Sequence, residues 1–152
     1  MLTIEDIVNG HPFFTGIKKE HVEDLITCAG YARYEEGETI FQEGEQANYF
    51  YLIGRGRVSL DIHVPHRGIV PVLTIDEGDV LGWSWLFPPY LWQFSARALE
   101  QTQTVAFNGR CLREKCQQDH ELGYELMKRF ASVMTQRLQA ARMQLLDVYS
   151  LK

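Results

Sequence analysis

Within the twelve residues from Trp83 to Phe94 stand six aromatic side chains, Trp83, Trp85, Phe87, Tyr90, Trp92 and Phe94, around the pair Pro88-Pro89. Rings at this density suit one of two tasks: stacking against a planar ligand in a mostly apolar pocket, or packing on one another as core. The prolines stiffen the turn in either case. Groups for acid–base or metal chemistry are not gathered in this way. His63 and His66 flank Val64-Pro65 near a hairpin end, with no paired carboxylate and no third histidine at a metal-site spacing, and His11, His21 and His120 lie in or beside helical segments. The chain has no Gly-x-Ser-x-Gly elbow, phosphate-binding loop or paired-carboxylate motif. Neither catalysis nor a bound metal is expected.

Three cysteines, Cys28, Cys111 and Cys116, make an odd set, so a disulfide framework is not expected and the thiols should be reduced and mostly packed. The Cys111 to Cys116 spacing is not that of a zinc knuckle, and no second pair completes four ligands. A net charge of −5 argues against a nucleic-acid surface, since Lys18-Lys19 and Lys128-Arg129 are too small as clusters to do more than solvate a helix face. Apolar runs fall far short of a membrane span, and the N-terminus lacks the basic-then-apolar pattern of a signal peptide. A cytoplasmic protein with no membrane contact is the expectation.

The aromatic stretch must be held by strands. Turn signals at Glu36-Gly37-Glu38, Glu43-Gly44-Glu45, Gly54-Arg55-Gly56 and Glu77-Gly78-Asp79 separate runs such as Thr39-Ile40-Phe41, Tyr49-Phe50-Tyr51-Leu52-Ile53 and Val58-Ser59-Leu60-Asp61-Ile62. This punctuation predicts a small β-sandwich or barrel, with strands over about 31–75. Val58, Leu60, Ile62 and Val64 alternate with polar residues, which places one face inward. At 152 residues the chain is read as one domain: N-terminal helices over 1–30, a barrel over 31–107 and C-terminal helices over 108–152.

Thr3 with Asp6 forms a capping-box pattern for a short helix that Gly10 closes, and Val22, Leu25, Ile26 and Ala29 predict a second helix from Lys18 to about Ala29, stopped by Gly30. Asn108 is an N-cap for a helix to about Gln118, and Asp119 caps a long final helix with two apolar stripes. Leu122, Leu126, Phe130 and Val133 suit packing on the barrel. Tyr124, Met127, Ala131, Met134, Leu138, Ala141, Leu145 and Val148 follow steps of three and four, a heptad seam expected to join two subunits as a parallel helix pair.

The order of several motifs resembles the effector domain of Crp/Fnr-type regulators and of the regulatory subunits of cyclic-nucleotide-dependent kinases. The resemblance rests on Phe13-Phe14-Thr15-Gly16-Ile17, on Tyr34 through Gly44, on Tyr49 through Val58, on Gly78-Asp79-Val80-Leu81-Gly82 and on Ala96-Arg97-Ala98-Leu99-Glu100, and runs from about residue 10 to the C-terminus. It implies a jelly-roll β-barrel (double-stranded β-helix), mainly β, with N-terminal helices and a long C-terminal helix. In the transcription factors that the chain resembles, the long helix leads into a helix-turn-helix module; here the chain ends at Lys152, so direct DNA binding is not expected.

The same resemblance marks residues 82–98 as the phosphate cassette. There the family carries Gly-Glu, a small residue and Leu opening a short helix, and an Arg ten residues after the Gly. The Glu accepts from the ribose hydroxyl, the helix N-terminus offers N–H groups to the phosphate and the Arg neutralises it. With Gly82 as the cassette Gly, Trp83 stands at the Glu position, Ser84 follows it, Trp85 holds the small-residue position, Leu86 keeps its identity, Trp92 stands at the Arg position and Gln93 falls where many members carry Ser or Thr. Arg97 is an alternative phosphate partner, although strand alternation places it opposite residues 92, 94, 96 and 98. Losing two charge-assisted contacts of about 1.5 to 3 kcal/mol each weakens binding about 100-fold or more.

The expected function is thus a non-catalytic regulatory or sensor domain with weak or altered nucleotide binding, with no cofactor beyond a cyclic nucleotide or another small planar ligand. Gly82, Trp83, Ser84, Trp85, Leu86, Trp92 and Gln93 are its candidate site, and Met127, Ala131, Met134, Leu138, Ala141 and Leu145 its dimer seam. Two other readings stay open: a closed pseudo-receptor acting as a dimeric module for a protein partner, and a cupin-like enzyme.

Overall fold

The computed structural model describes residues 3–150. Helix α1 (Ile4–Gly10) opens on the expected reciprocal cap: the Asp6 N–H donates to the Thr3 hydroxyl at 3.0 Å and the Thr3 N–H to the Asp6 carboxylate at 3.1 Å. A 3-10 turn over Pro12–Phe14 leads to α2 (Lys19–Ile26), shorter than expected. The Thr27 hydroxyl donates back to the Asp24 carbonyl, and Ala29 and Gly30 are strand residues paired with Phe107 and Ala106. Sheet pairing overrides the helical spacing of Ala29, and Gly30 is a strand residue in place of a helix stop.

Eight antiparallel strands follow: β1 (Ala29–Tyr34), β2 (Thr39–Phe41), β3 (Tyr49–Arg55), β4 (Arg57–Val64), β5 (Gly68–Asp76), β6 (Val80–Leu81), β7 (Ser95–Ala98) and β8 (Thr102–Asn108). They form two four-stranded sheets, ordered β1-β8-β3-β6 and β2-β7-β4-β5. This is the jelly-roll barrel that the motifs imply. Helices α3 (Gly109–Gln118) and α4 (His120–Ser150) follow the strands. The Asn108 side chain accepts from the Cys111 N–H at 2.9 Å, and Asp119 accepts from the Glu121 and Leu122 N–H groups at 3.1 and 3.2 Å, so both caps act where they were expected.

Strand alternation divides the core into two compartments. Phe50 of β3 faces the helices, stacked on Phe107 at 4.7 Å and met by Phe13, Phe14, Trp85 and Phe130. Tyr51, next in sequence, points the other way, toward Phe41 of the opposite sheet at 6.3 Å. Helix α4 closes the first compartment with Leu122, Leu126 and Phe130, all fully buried. Its second stripe is largely in solvent: Tyr124, Met127, Leu138, Leu145 and Val148 are exposed, as are Ala131 and Ala141, while Met134 is half-buried against the domain's own core.

The cysteines depart from expectation. Cys28 and Cys111 form a disulfide, and Cys116 alone is free. An odd count leaves room for one bond and one thiol, and the β1–β8 pairing decides which. The Asn108 N–H donates to the Cys28 carbonyl at 2.9 Å, which carries the first turn of α3 to Cys28. Among the described residues no helix is long and apolar enough to cross a membrane, and no group of three or more His, Cys, Asp or Glu side chains could hold a metal ion.

Candidate functional site

The cassette begins where β6 ends. Gly82 has a φ of 95°, a conformation that a side chain disfavours, and a Cβ there would come within 2.5 Å of the Trp92 ring. Glycine lets the indole lie on the backbone. Trp92 is 3% exposed, and its other neighbour is Phe41, stacked at 3.6 Å between centroids and within 7° of parallel. The position where the resemblance implies a guanidinium is therefore filled by an indole held between β2 and the first cassette residue. Backbone bonds fix this placement: the Trp92 N–H donates to the Glu45 carbonyl at 2.9 Å and the Gly44 N–H to the Trp92 carbonyl at 2.8 Å.

Trp83, at the other anchor position, is half-buried. Its ring meets Phe94 edge-on at 6.4 Å and lies 5.1 Å from the Arg137 guanidinium of α4. Arg137 also donates to the Val80 carbonyl, and burial pushes its pKa down to about 10 against the opposing pull of the Asp79 carboxylate. Ser84, Trp85 and Leu86 form a single 3-10 turn with no side-chain cap, too short to gather N–H groups for an anion. Ser84 is buried, Trp85 fully so, and Leu86 packs on the core. Gln93 is exposed, its amide donating to the Leu91 carbonyl at 3.2 Å.

Trp85 belongs to the helix-side compartment, with Phe50 at 5.8 Å and Phe130 at 5.6 Å. Its carbonyl accepts from Arg113 of α3, whose guanidinium also lies 4.2 Å from the centroid of the Tyr90 ring. Two arginines from the C-terminal helices thus grip the cassette, Arg113 near its middle and Arg137 at its start. Neither is visible as a site residue in the sequence, where each reads as one more charge on a helix face. Phe41 was likewise missed, since its partner lies 51 residues on.

Arg97 lies on the same face of its sheet as its register partner Ser59, opposite Ala96 and Ala98, and pairs with the buried Asp61 carboxylate at 3.4 Å. Asp61 also accepts from the Ser59 hydroxyl at 2.5 Å. That ion pair turns the guanidinium toward Asp61, away from the face that carries Ala96 and Ala98. Beside the Phe41–Trp92 stack, the Tyr51 ring meets that of Tyr34 edge-on at 6.3 Å, and burial pushes both phenols up, so both stay neutral. Cavities of about 410, 800 and 570 Å3 lie against α4, against α1 and beside Cys28 and Cys111; neither Trp83 nor Trp92 lines any of the three.

The family model of the cyclic nucleotide-binding domain matches residues 31–119. Sequence comparison with curated proteins finds no match. Among solved structures, a protein of Geobacter metallireducens GS-15 described as cyclic nucleotide-binding is 27% identical with a TM-score of 0.81, over 90% of this chain and 99% of that one. A cyclic nucleotide-binding domain from Methylobacillus flagellatus KT is 21% identical (TM-score 0.80, over 95% and 81%), and the catabolite activator protein of Thermus thermophilus is 23% identical (TM-score 0.71, over 91% and 63%). The last two likenesses are of fold. Because the family model matches more than half of its length and its strands form the jelly roll, this chain belongs to the cyclic nucleotide-binding domain family.

Proposed function

We propose that this protein is a non-catalytic regulatory domain in which the cyclic-nucleotide site has lost its charged anchors, so that cyclic AMP and cyclic GMP bind weakly or not at all. The observation that carries this reading is Trp92, stacked on Phe41 and seated on Gly82 where a phosphate-neutralising arginine would stand. Trp83 in place of the ribose-binding carboxylate supports it. An anion entering here would meet rings and neutral phenols, with no cation released to receive it. Titration calorimetry with either nucleotide is the test. Dissociation constants above about 100 μM are expected, and low-micromolar binding would overturn the reading.

The output of such a domain is its long helix. Arg137 joins α4 to Trp83 and Val80, so a displacement of the cassette bears directly on α4. Beyond it, Leu138, Leu145 and Val148 are each more than half exposed, an apolar seam that a parallel copy of the same helix would cover. We read the protein as a homodimer through Met127, Ala131, Met134, Leu138, Ala141 and Leu145. Leu138→Asp places a charge in that seam and should convert a sedimenting dimer to monomer. A wild-type protein that sediments as a monomer at tens of micromolar would remove the output.

A second reading is favoured by the enclosure of Trp92 itself. If the ring never leaves Phe41, the domain is a closed pseudo-receptor that offers its dimer and its surfaces to a protein partner. Thermal shift with nucleotides and planar heteroaromatic acids separates the two: a sensor gains stability with some ligand, and a closed module with none.

A further inference from the structure

The Cys28–Cys111 bond joins residues 83 positions apart, with Cα atoms 5.7 Å from each other. Its span encloses every strand of both sheets. Cys28 ends the turn after α2, and Cys111 lies in the first turn of α3. The bond is not sealed inside the core. Both cysteines line a cleft of about 570 Å3 together with Tyr31, Tyr34, Tyr49 and Tyr51. Cys28 is 7% exposed and Cys111 half-buried, so Cys111 is the more exposed residue of the pair.

Between this bond and the cassette stands α3. Its first residue, Gly109, donates to the Asn48 carbonyl at 2.7 Å, Leu112 is fully buried, and Arg113, two positions past Cys111, holds the Trp85 carbonyl and covers Tyr90. The covalent tie and the arginine clamp are thus half a turn apart on one helix.

We propose that Cys28–Cys111 is a redox-exchange site at which a dithiol reductant opens the bond and relaxes the hold of α3 on residues 85–90. A thiolate of the reductant attacks the Cys111 sulfur, forming a mixed disulfide and expelling the Cys28 sulfur as a thiolate that takes up a proton. The second thiolate of the reductant then attacks its own bound sulfur, closes a cyclic disulfide and releases the Cys111 sulfur, which is protonated in turn. Two electrons and two protons pass to the protein. Cys116 takes no part: five positions along the helix it faces Gly123, and burial pushes its thiol up to about 11, so it remains protonated.

The test uses the full chain under native conditions with dithiothreitol as the reductant, followed by acid quench, denaturation and alkylation. Untreated protein should carry one alkylated cysteine and treated protein three. Hydrogen exchange should then rise at least several-fold in residues 109–118 and 83–91, with the strands of the β3–β8 ladder unchanged. Cys111→Ser should show the fast exchange without reductant, and Cys116→Ser should behave as the parent. Three alkylated cysteines before treatment, a bond that opens only in denaturant, or equal exchange in the oxidised and reduced wild type would each overturn the proposal. None of these readouts depends on whether the cassette binds a nucleotide.

Discussion

Trp92 and Trp83 stand where the resemblance implies two charged anchors, yet the fold uses them differently. Trp92 is closed between Phe41 and Gly82 and seals the inside of the barrel. Trp83 is only partly buried, with Phe94 on its edge and the Arg137 guanidinium over its face. One indole contributes burial, and the other links the cassette to the helix that would carry its output. Two indoles at the two implied anchor positions therefore have different structural meanings: one becomes core, and the other becomes a contact between the cassette and α4.

The sharpest way to break this comparison is to remove each ring. Trp92→Ala leaves a cavity between two sheets that are held in register by backbone bonds, and should cost about 3 to 5 kcal/mol in denaturant unfolding. Gly82→Ala attacks the same contact from the other side. A methyl group 2.5 Å from the indole, on a backbone at a φ of 95°, should cost about 2 to 3 kcal/mol through displacement of Trp92 and local strain. Trp83→Ala removes a half-buried ring and a cation–π contact, worth about 1 to 2 kcal/mol. Equal losses at positions 83 and 92 would erase the distinction. A Trp92→Ala variant that melts like its parent would reverse it and identify an open site.

Much of the architecture was legible because turns are local. Gly37, Gly44, Gly56 and Gly78 all adopt a positive φ, and each falls in one of the turn signals that separated the strands. The caps at Thr3, Asn108 and Asp119 were equally readable, since a cap is decided by residues three positions apart. The end of α2 was not. Ala29 fits a helical face and a strand equally well, and its partner Phe107 lies 78 residues away. The cysteines failed for the same reason: an odd count read as reduced thiols, and the Cys28–Cys111 bond joins residues 83 positions apart that nothing local brings together.

For the cassette, the sequence by itself determined which side chains stand at the positions where the resemblance implies charged anchors. No backbone arrangement turns Trp83 and Trp92 into a carboxylate and a guanidinium, so in the register that the resemblance implies, residue identity alone removes both anchors. What the two indoles do in place of the anchors was decided only in three dimensions. Stacking on Phe41, cover from Arg137 and the grip of Arg113 on Trp85 each join residues from separate elements. Whether an aromatic ring becomes core or lever depends on which surfaces the sheets and α4 bring against it, and those surfaces exist only once the long-range pairs have formed.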